Sequence, residues 1–314
     1  SSAASDVYKR QMQQTASREI IELVQRFPGF EYEVVLTANE HSIGADDIYS
    51  NPIAGLSTAD KHQELADKLA KDYDLVVVAN VDFAILPDEQ KFRLMSMVRN
   101  GTGLVRIQSS EPWSELKKLP YKKPYAKPLP RPEWVAGSNG LPGSRPENFE
   151  SRIFNAWQFG HGRIVEVDYG AGYRAGVGLT PYFDYTTDWL FLYETSQAFL
   201  AQVLYYASGV ELPAFSVRQD SGKFVVASPE KTTVEGRIRQ TDNSVIRNSL
   251  DFTNLPAGKY TADVLVRRNG ALVNFGAFPF TVESAFGAVS VEAPRLVQNL
   301  SLIHISEPTR RVVI

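Results

Sequence analysis

The spacing of apolar residues in this chain changes at Leu212-Pro213, and the change divides it into two parts. Before that point, apolar runs such as LVVVA at residues 75–79 alternate with segments whose apolar residues recur every three or four positions. Such alternation predicts βαβ units, in which parallel strands share one sheet. After that point apolar residues recur every second position in short segments. This pattern predicts an all-β domain.

We therefore expect two units that fold separately. Residues 12–209 are predicted to form an α/β domain, with a parallel sheet and helices on both faces. Its predicted elements include a strand at residues 32–37 and a helix with Thr58 as its N-cap. Residues 213–283 are predicted to form an immunoglobulin-like β-sandwich, in which Asn269-Gly270 makes a hairpin turn. Residues 284–299 would be a linker or the start of a further domain.

The two ends of the chain are related through their codons. One codon choice for residues 6–11 (DVYKRQ) is GAT GTG TAT AAG AGA CAG, whose reverse complement translates as LSLIHI, residues 300–305. The DNA resembles a transposase adapter of sequencing libraries, which is attached inverted at both ends of a fragment. Residues 1–11 and 300–314 are therefore interpreted as adapter-derived and are expected to be disordered. On this interpretation the chain is an internal piece of a longer gene, and the strand before its first helix is missing.

Composition excludes several classes of function. The net charge of −3 gives no general attraction to nucleic acid or to anionic membranes. No apolar run approaches the ~20 residues that would span a bilayer. The absence of cysteine excludes thiol nucleophiles, thiolate zinc sites and disulfides, and it favours an extracytoplasmic location slightly. No pattern in the sequence indicates a metal site or a cofactor.

Two segments carry a family resemblance. Residues 73–108 read YDLVVVANVDFAILPDEQKFRLMSMVRNGTGLVRIQ, and residues 159–170 read FGHGRIVEVDYG. Together they resemble the class I glutamine amidotransferase-like superfamily, closest to its trehalose-utilisation (ThuA-like) branch and to related modules of multidomain bacterial proteins. The resemblance covers residues 12–209 except the proline-rich stretch from 109 to 150. It implies a flavodoxin-like sheet with helices on both faces.

The reactive residue of that superfamily is missing here. Its true amidotransferases place a cysteine on a glycine-flanked turn after the strand that corresponds to GLVRI, and ThuA-like proteins often have a histidine there. This chain has Gln108, followed by Ser109, with no flanking glycine. Glutamine hydrolysis needs an activated nucleophile, and a glutamine side chain neither titrates nor attacks. Glutaminase activity is therefore not expected.

Polar residues follow the predicted strands at the edge where ligands of open α/β sheets bind. The candidate ligand-binding residues there are Asn80, Gln108 and Ser109. The candidate catalytic residues are Asp82, Glu111 and His41, because two carboxylates that converge from neighbouring strands can act as acid and base. For each of these residues a capping or turn role is the simpler alternative.

A second group of polar and aromatic residues follows the glycine-rich stretch YGAGYRAGVG. Tyr182 and Asp184 belong to an aromatic cluster with interleaved carboxylates, which could stack on a sugar ring and hydrogen-bond to it. The alternative is a packing cluster in the core. The glycine-rich stretch lacks the Lys-Ser/Thr pair of a phosphate-binding loop.

Two functional hypotheses follow. In the first, the chain is a non-catalytic amidotransferase-like module with a β-sandwich, from a larger bacterial protein, and its partners are carbohydrate or other domains of that protein. In the second, it is a hydrolase or isomerase that acts on a carbohydrate through Asp82, Glu111 and His41. The missing cysteine and Gln108 favour the first hypothesis.

Overall fold

The computed structural model describes residues 18–35, 57–79, 86–108, 126–136, 154–168, 179–180 and 187–283. Within these ranges the chain forms a mixed sheet with helices, followed by separate antiparallel sheets. The first part contains, in order, α1 (Arg18–Arg26), α2 (Thr58–Lys68), β1 (Leu75–Ala79), α3 (Asp88–Asn100), β2 (Gly103–Gln108), β3 (Lys127–Pro128), α4 (Glu133–Ala136), β4 (Phe154–Phe159), β5 (Gly162–Asp168) and α5 (Thr187–Ala207). The second part contains β6 (Ser216–Asp220), β7 (Lys223–Ala227), β8 (Thr233–Gln240), β9 (Val245–Arg247), β10 (Gly258–Arg268) and β11 (Ala271–Val282).

The ends of the helices have local causes. The N-cap of α2 is Ser57 and not Thr58, because the Ser57 hydroxyl accepts a hydrogen bond from the backbone N–H of Asp60 at 3.1 Å. Helix α3 ends at Asn100, and Gly101 follows with a φ of 134°, a conformation that favours glycine.

The five-stranded sheet has the order β1-β2-β5-β4-β3. Strand β2 pairs in parallel with both β1 and β5, as the helix–strand alternation predicts. Strand β4 is antiparallel to β5, and β3 is antiparallel to β4. The sheet is therefore mixed, with a parallel part formed by β1, β2 and β5. The physical reason is the short turn between β4 and β5, since a parallel pair needs a long crossover connection.

Helices cover both faces of the sheet, as predicted. Alternate side chains of a strand point to opposite faces, so Val105 and Ile107 of β2 pack with α1 and α5. On the other face Leu104 of β2 packs with Leu94 and Val98 of α3. Strand β2 is buried along its length from Gly103 to Ile107, which makes it the centre of this part.

The predicted strand at residues 32–37 is not found in its described portion. Residues 31–35 belong to no strand, and their contacts run to the end of α2 instead: the Lys68 ammonium donates to the carbonyl of Val34 at 2.5 Å. Strand β1 is a continuous apolar run, yet all five of its residues are only half-buried. Both differences occur at the same side of the sheet.

The turn between β4 and β5 presses against the end of α3. Gly160 has a φ of 61°, and the N–H of His161 donates to the carbonyl of Arg99 at 2.9 Å. A side chain at Gly162 would place its Cβ 2.2 Å from the carbonyl oxygen of Val98. Glycine is therefore required on both sides of His161, which itself is exposed.

The second part consists of antiparallel strands only. A four-stranded sheet has the order β11-β10-β8-β9, and β6 and β7 form a two-stranded sheet. Asn269 and Gly270 join β10 to β11 with φ angles of 52° and 82°, which confirms the predicted hairpin turn. Aromatic rings fill the space between the two sheets, with Phe224 of β7 4.9 Å from Phe280 of β11.

Helix α5 connects the two parts through one continuous core. Leu272 and Phe275 of β11 belong to the same buried cluster as Leu200 and Leu204 of α5 and the apolar face of the first sheet. The hydroxyl of Thr195 also donates to the carbonyl of Ala277 at 3.2 Å. Separate folding stays a prediction from the sequence, whereas this shared core leads us to expect that the parts unfold together.

Candidate functional site

The three parallel strands end together at one edge of the sheet. Strand β1 ends at Ala79, β2 at Gln108 and β5 at Asp168. In the pairing register Ala79 lies beside Ile107, and Gln108 lies beside Asp168. This carboxyl edge is where the loops of an open α/β sheet normally form a ligand site.

Most of the predicted site residues lie beyond what the structure describes. Gln108 is placed by its backbone at the end of β2. Two other histidines lie within the described ranges: His161 in the β4–β5 turn and His62 in α2. The predicted residues outside the described ranges are His41, Asn80, Asp82, Ser109, Glu111, Tyr182 and Asp184.

Helices α1 and α5 both start at the carboxyl edge. The guanidinium of Arg163, at the start of β5, donates to the carbonyl of Tyr206 at 2.9 Å, so α5 ends at the opposite, amino edge. The ring of Phe27, which follows α1, lies 5.1 Å from that of Tyr205. Helix α1 therefore runs in the same direction as α5, and its first residues lie at the carboxyl edge.

Glu19, in the first turn of α1, is a buried carboxyl at this edge that the sequence did not reveal. Glu19 is only 6% exposed, and its Oε1 accepts a hydrogen bond from the Thr180 hydroxyl at 3.0 Å. Its Oε2 is buried and has no hydrogen-bond partner among the described residues. Glutamate at a helix start is normally exposed, and Thr180 lies 161 residues away, so no local pattern signals this contact.

The environment of Glu19 favours its neutral form. Burial raises the pKa of the Glu19 carboxyl above its ordinary value, and hydrogen bonds from its own backbone N–H, the Thr180 hydroxyl and the backbone at Leu179 offset this only in part. The negative charge of Glu22 raises the pKa further. A carboxyl held neutral can donate a proton or a hydrogen bond, which an ionised one cannot.

We expect Glu19 to make stability depend on pH. A carboxyl whose pKa is raised by folding stabilises the folded state fully below its unfolded pKa, and that contribution is lost as the pH rises through the folded pKa. The Glu19→Gln variant removes this loss. Between pH 4 and pH 8 its free energy of unfolding should therefore rise relative to that of the parent protein, by about 1.4 kcal/mol for each unit by which folding raises the pKa of Glu19. Urea denaturation at several pH values measures this difference.

The exposed Glu31 provides the control for this prediction. The Glu31→Gln variant makes the same substitution at an exposed side chain, so its free energy of unfolding should stay within about 0.5 kcal/mol of that of the parent protein. If the Glu19→Gln profile runs parallel to that of the parent, folding does not raise the pKa of Glu19.

A buried ion pair lies beneath the same edge on the opposite face of the sheet. Arg106 of β2 is 2% exposed, and its guanidinium lies 3.3 Å from the carboxylate of Glu166 in β5. The two residues are direct neighbours in the parallel register. A sequence signal for the pair exists, since Arg106 lies between Val105 and Ile107 and Glu166 lies between Val165 and Val167. Opposite charges at such positions offset each other's cost of burial.

A second polar cluster joins α5 to its neighbours. The guanidinium of Arg26 donates to both carboxylate oxygens of Glu194, at 2.7 and 2.8 Å, and lies 4.9 Å from the ring centre of Phe275 in β11. Burial alone would raise the pKa of Glu194, but the hydrogen bond and charge of Arg26, with the charges of Arg239 and Arg237, lower it overall. Glu194 therefore stays ionised between the two parts of the chain.

The β-sheet contributes its own buried charges to this contact. Asp263 of β10 accepts hydrogen bonds from Arg239 through both carboxylate oxygens, at 2.7 and 2.8 Å, and from Arg237 at 2.7 Å. Asn274 of β11 accepts a hydrogen bond from Gln202 of α5 at 3.0 Å. The contact thus combines apolar packing with directional polar bonds, which fix orientation as well as proximity.

A shallow depression of about 440 Å³ runs along α2, and most of the residues that line it are charged. Lys61 and Lys68 both contact the carboxylate of Glu64 there, at 2.7 and 2.8 Å. Such mutually satisfied surface pairs leave no convergent group for a ligand. Across the described ranges, no cluster of three or more acidic or histidine side chains could hold a metal ion. Likewise, none of the helices in those ranges is long and apolar enough to cross a membrane.

Comparison with known proteins gave no match. No protein-family model, no curated protein and no solved structure is significantly similar to the chain.

Proposed function

We propose that this chain is a non-catalytic, amidotransferase-like module of a larger bacterial multidomain protein, with a role in binding or structural organisation. In this proposal the first part has a flavodoxin-like fold and the second an immunoglobulin-like one. The two act as a single rigid unit that holds a fixed angle between neighbouring domains or between a ligand and its carrier.

The observation that carries this proposal is the position of α5 between two sheets. Its apolar residues pack on the first sheet and on β11, and Glu194 is fixed by Arg26 within the contact. Contacts between domains of one chain typically bury a small area and are polar, which permits the domains to move relative to each other. A shared apolar core with buried charge pairs is suited instead to a fixed arrangement.

The end of β2 supports the non-catalytic part of the proposal. The family that the sequence resembles places its nucleophile or histidine directly after this strand, whereas β2 ends here at Gln108. An amide cannot serve as nucleophile or base. The carboxyl edge still brings strand ends together, and we propose carbohydrate as its ligand, bound by Asn80, Tyr182 and Asp184.

Glu19 favours a second candidate, a carbohydrate-acting hydrolase or isomerase. Burial at the carboxyl edge raises the pKa of the Glu19 carboxyl, which is the direction that a general acid requires. In this candidate Asp82 and Glu111 would supply the partner carboxylate, and His41 a further titratable group. Both candidates place the carbohydrate at the carboxyl edge of the sheet, and only the enzyme converts it into a product.

One experiment separates the candidates. We would titrate the ¹⁵N-labelled chain with trehalose, glucose and maltose, follow the backbone amides by NMR, and assay the same samples for sugar products. The binding module predicts shifts near Ala79, Gln108 and Asp168, loss of binding in the Asp82→Ala, Glu111→Ala double variant, and no product. Product formation that is lost in the double variant supports the enzyme. Shifts confined to β6–β11, or ammonia release from glutamine, would contradict both.

A further inference from the structure

Two described turns share the sequence Arg-Asn-Gly. Residues 99–101 end helix α3, and residues 268–270 lead through the hairpin turn between β10 and β11. All six residues are exposed, so water reaches both asparagines, Asn100 and Asn269. A further Asn-Gly step, at residues 139–140, lies outside the described ranges. Because the residues directly before and after Asn100 and Asn269 match, a difference in reactivity between these two side chains would come from the fold.

The backbone N–H of Gly101 is held in place at the end of α3. It donates to the carbonyls of Met97 and Val98, both at 3.1 Å. The β4–β5 turn packs against the same helix end, where the N–H of His161 donates to the carbonyl of Arg99 at 2.9 Å. A backbone nitrogen held in this way can react with a neighbouring side chain only after the helix end opens locally.

The backbone N–H of Gly270 makes no hydrogen bond among the described residues. In this two-residue turn the facing pair is Arg268 and Ala271, and the two turn residues lie outside the ladder. The guanidinium of Arg267 lies beside the turn and donates to the carbonyl of Gly270 at 3.3 Å. A positive charge close to the turn favours an anionic, deprotonated backbone nitrogen there.

We propose that Asn269 is a site of spontaneous deamidation, a covalent modification that consumes only water. The backbone nitrogen of Gly270 loses its proton and forms a bond to Cγ of the Asn269 side chain. The bond between Cγ and Nδ2 breaks, and ammonia leaves with that proton, which yields a cyclic succinimide. Water then opens the ring: attack at Cγ gives aspartate, and attack at the main-chain carbonyl gives isoaspartate. Glycine has no Cβ to hinder the approach of its nitrogen.

The two products affect the hairpin differently. Both carry a negative charge in place of the neutral amide. Aspartate is compatible with the turn, because Asp-Gly is a favoured pair in two-residue hairpins. Isoaspartate instead adds one carbon to the main chain between Arg268 and Ala271, which face each other in the register. The next residue, Leu272, is buried in the core shared with α5, so the isoaspartate form should be less stable.

Incubation of the folded chain at mildly alkaline pH, followed by peptide mass spectrometry, tests the proposal. We expect Asn269 to lose its amide about tenfold faster than Asn100, because the hydrogen bonds of Gly101 must open before Asn100 reacts. In urea, where both turns are unfolded, the two asparagines should react at equal rates. The Asn269→Asp variant should keep the denaturation midpoint of the parent chain, whereas the isoaspartate fraction of the aged protein should have a lower one.

Two results would overturn the inference. Equal conversion of Asn269 and Asn100 in the folded chain would show that hydrogen bonding of the glycine N–H does not set the rate. Conversion of both asparagines in urea, with Asn269 unchanged in the folded chain, would show that the hairpin itself protects Asn269.

Discussion

The Phe275→Ala variant is expected to lower the free energy of unfolding of the whole chain by about 3–4 kcal/mol, the cost of a large cavity in a core. Phe275 lies on β11, yet its ring contacts groups of the first part: it is 6.0 Å from the ring of Phe27 and 4.9 Å from the guanidinium of Arg26. The residue is 3% exposed. Guanidinium chloride denaturation measures the change.

The exposed Phe92 of α3 is the matched control for this substitution. It is 76% exposed, so Phe92→Ala removes the same atoms without opening a cavity, and its effect should stay within about 0.5 kcal/mol. If Phe275→Ala destabilised only the β-strands and left the tryptophan signal of the first part unchanged, the shared core would not couple the two parts.

The Asp263→Asn variant is expected to cost about 3 kcal/mol, because removing one partner of a buried ion pair leaves the other charge uncompensated. Asp263 accepts three hydrogen bonds from Arg237 and Arg239, and Arg239 is only 3% exposed. Asparagine keeps the size and one acceptor oxygen but loses the charge. Thermal and chemical unfolding, measured together, report the loss.

Asp220 of β6 offers the control for the charge change. Its carboxylate lies 2.9 Å from the guanidinium of Arg218, and both side chains are largely solvated. Asp220→Asn should therefore change stability by about 0.5 kcal/mol or less, as is usual for surface pairs. Equal effects at Asp220 and Asp263 would mean that the buried pair contributes no more than a surface one.

The sequence predicts the elements of the first part well where a local pattern defines them. Helix α3, the buried strand β2 and the hairpin at Asn269-Gly270 form as their spacing and turn residues indicate. The antiparallel direction of β4 follows from its short turn to β5, which is visible in the sequence. The partner of a strand is less predictable, because it depends on distant residues, and residues 31–35, which were predicted to begin a strand, belong to none.

The amino-acid sequence of α5 indicates that this helix is buried on more than one side. The segment TDWLFLYETSQAFLAQVLYYA is apolar on nearly all sides, and a helix of that kind is buried on more than one side. A boundary at Leu212-Pro213 between independent units would leave one of those sides in water. The charged residues that complete the contact, Arg26 and Asp263, lie in segments far apart in the sequence and could not be paired in advance.

The candidate site was predictable in outline only. The strand order fixes where β1, β2 and β5 end, so the carboxyl edge followed from the alternation of helices and strands. Glu19 could not be found in this way, because its burial depends on the contact with Thr180. The Arg106–Glu166 pair could have been found, since both charges interrupt apolar strands that the sequence identifies.

The central claim is that the two parts of the chain form one cooperative unit around α5. All four tryptophans, Trp113, Trp134, Trp157 and Trp189, precede residue 213, so their fluorescence reports only on the first part. Hydrogen exchange of the β10–β11 segment, read by mass spectrometry in the same denaturant series, reports on the second. We predict a single transition with one midpoint for both signals. Two separated midpoints, with β10–β11 losing protection while the tryptophan signal stays native, would contradict the claim.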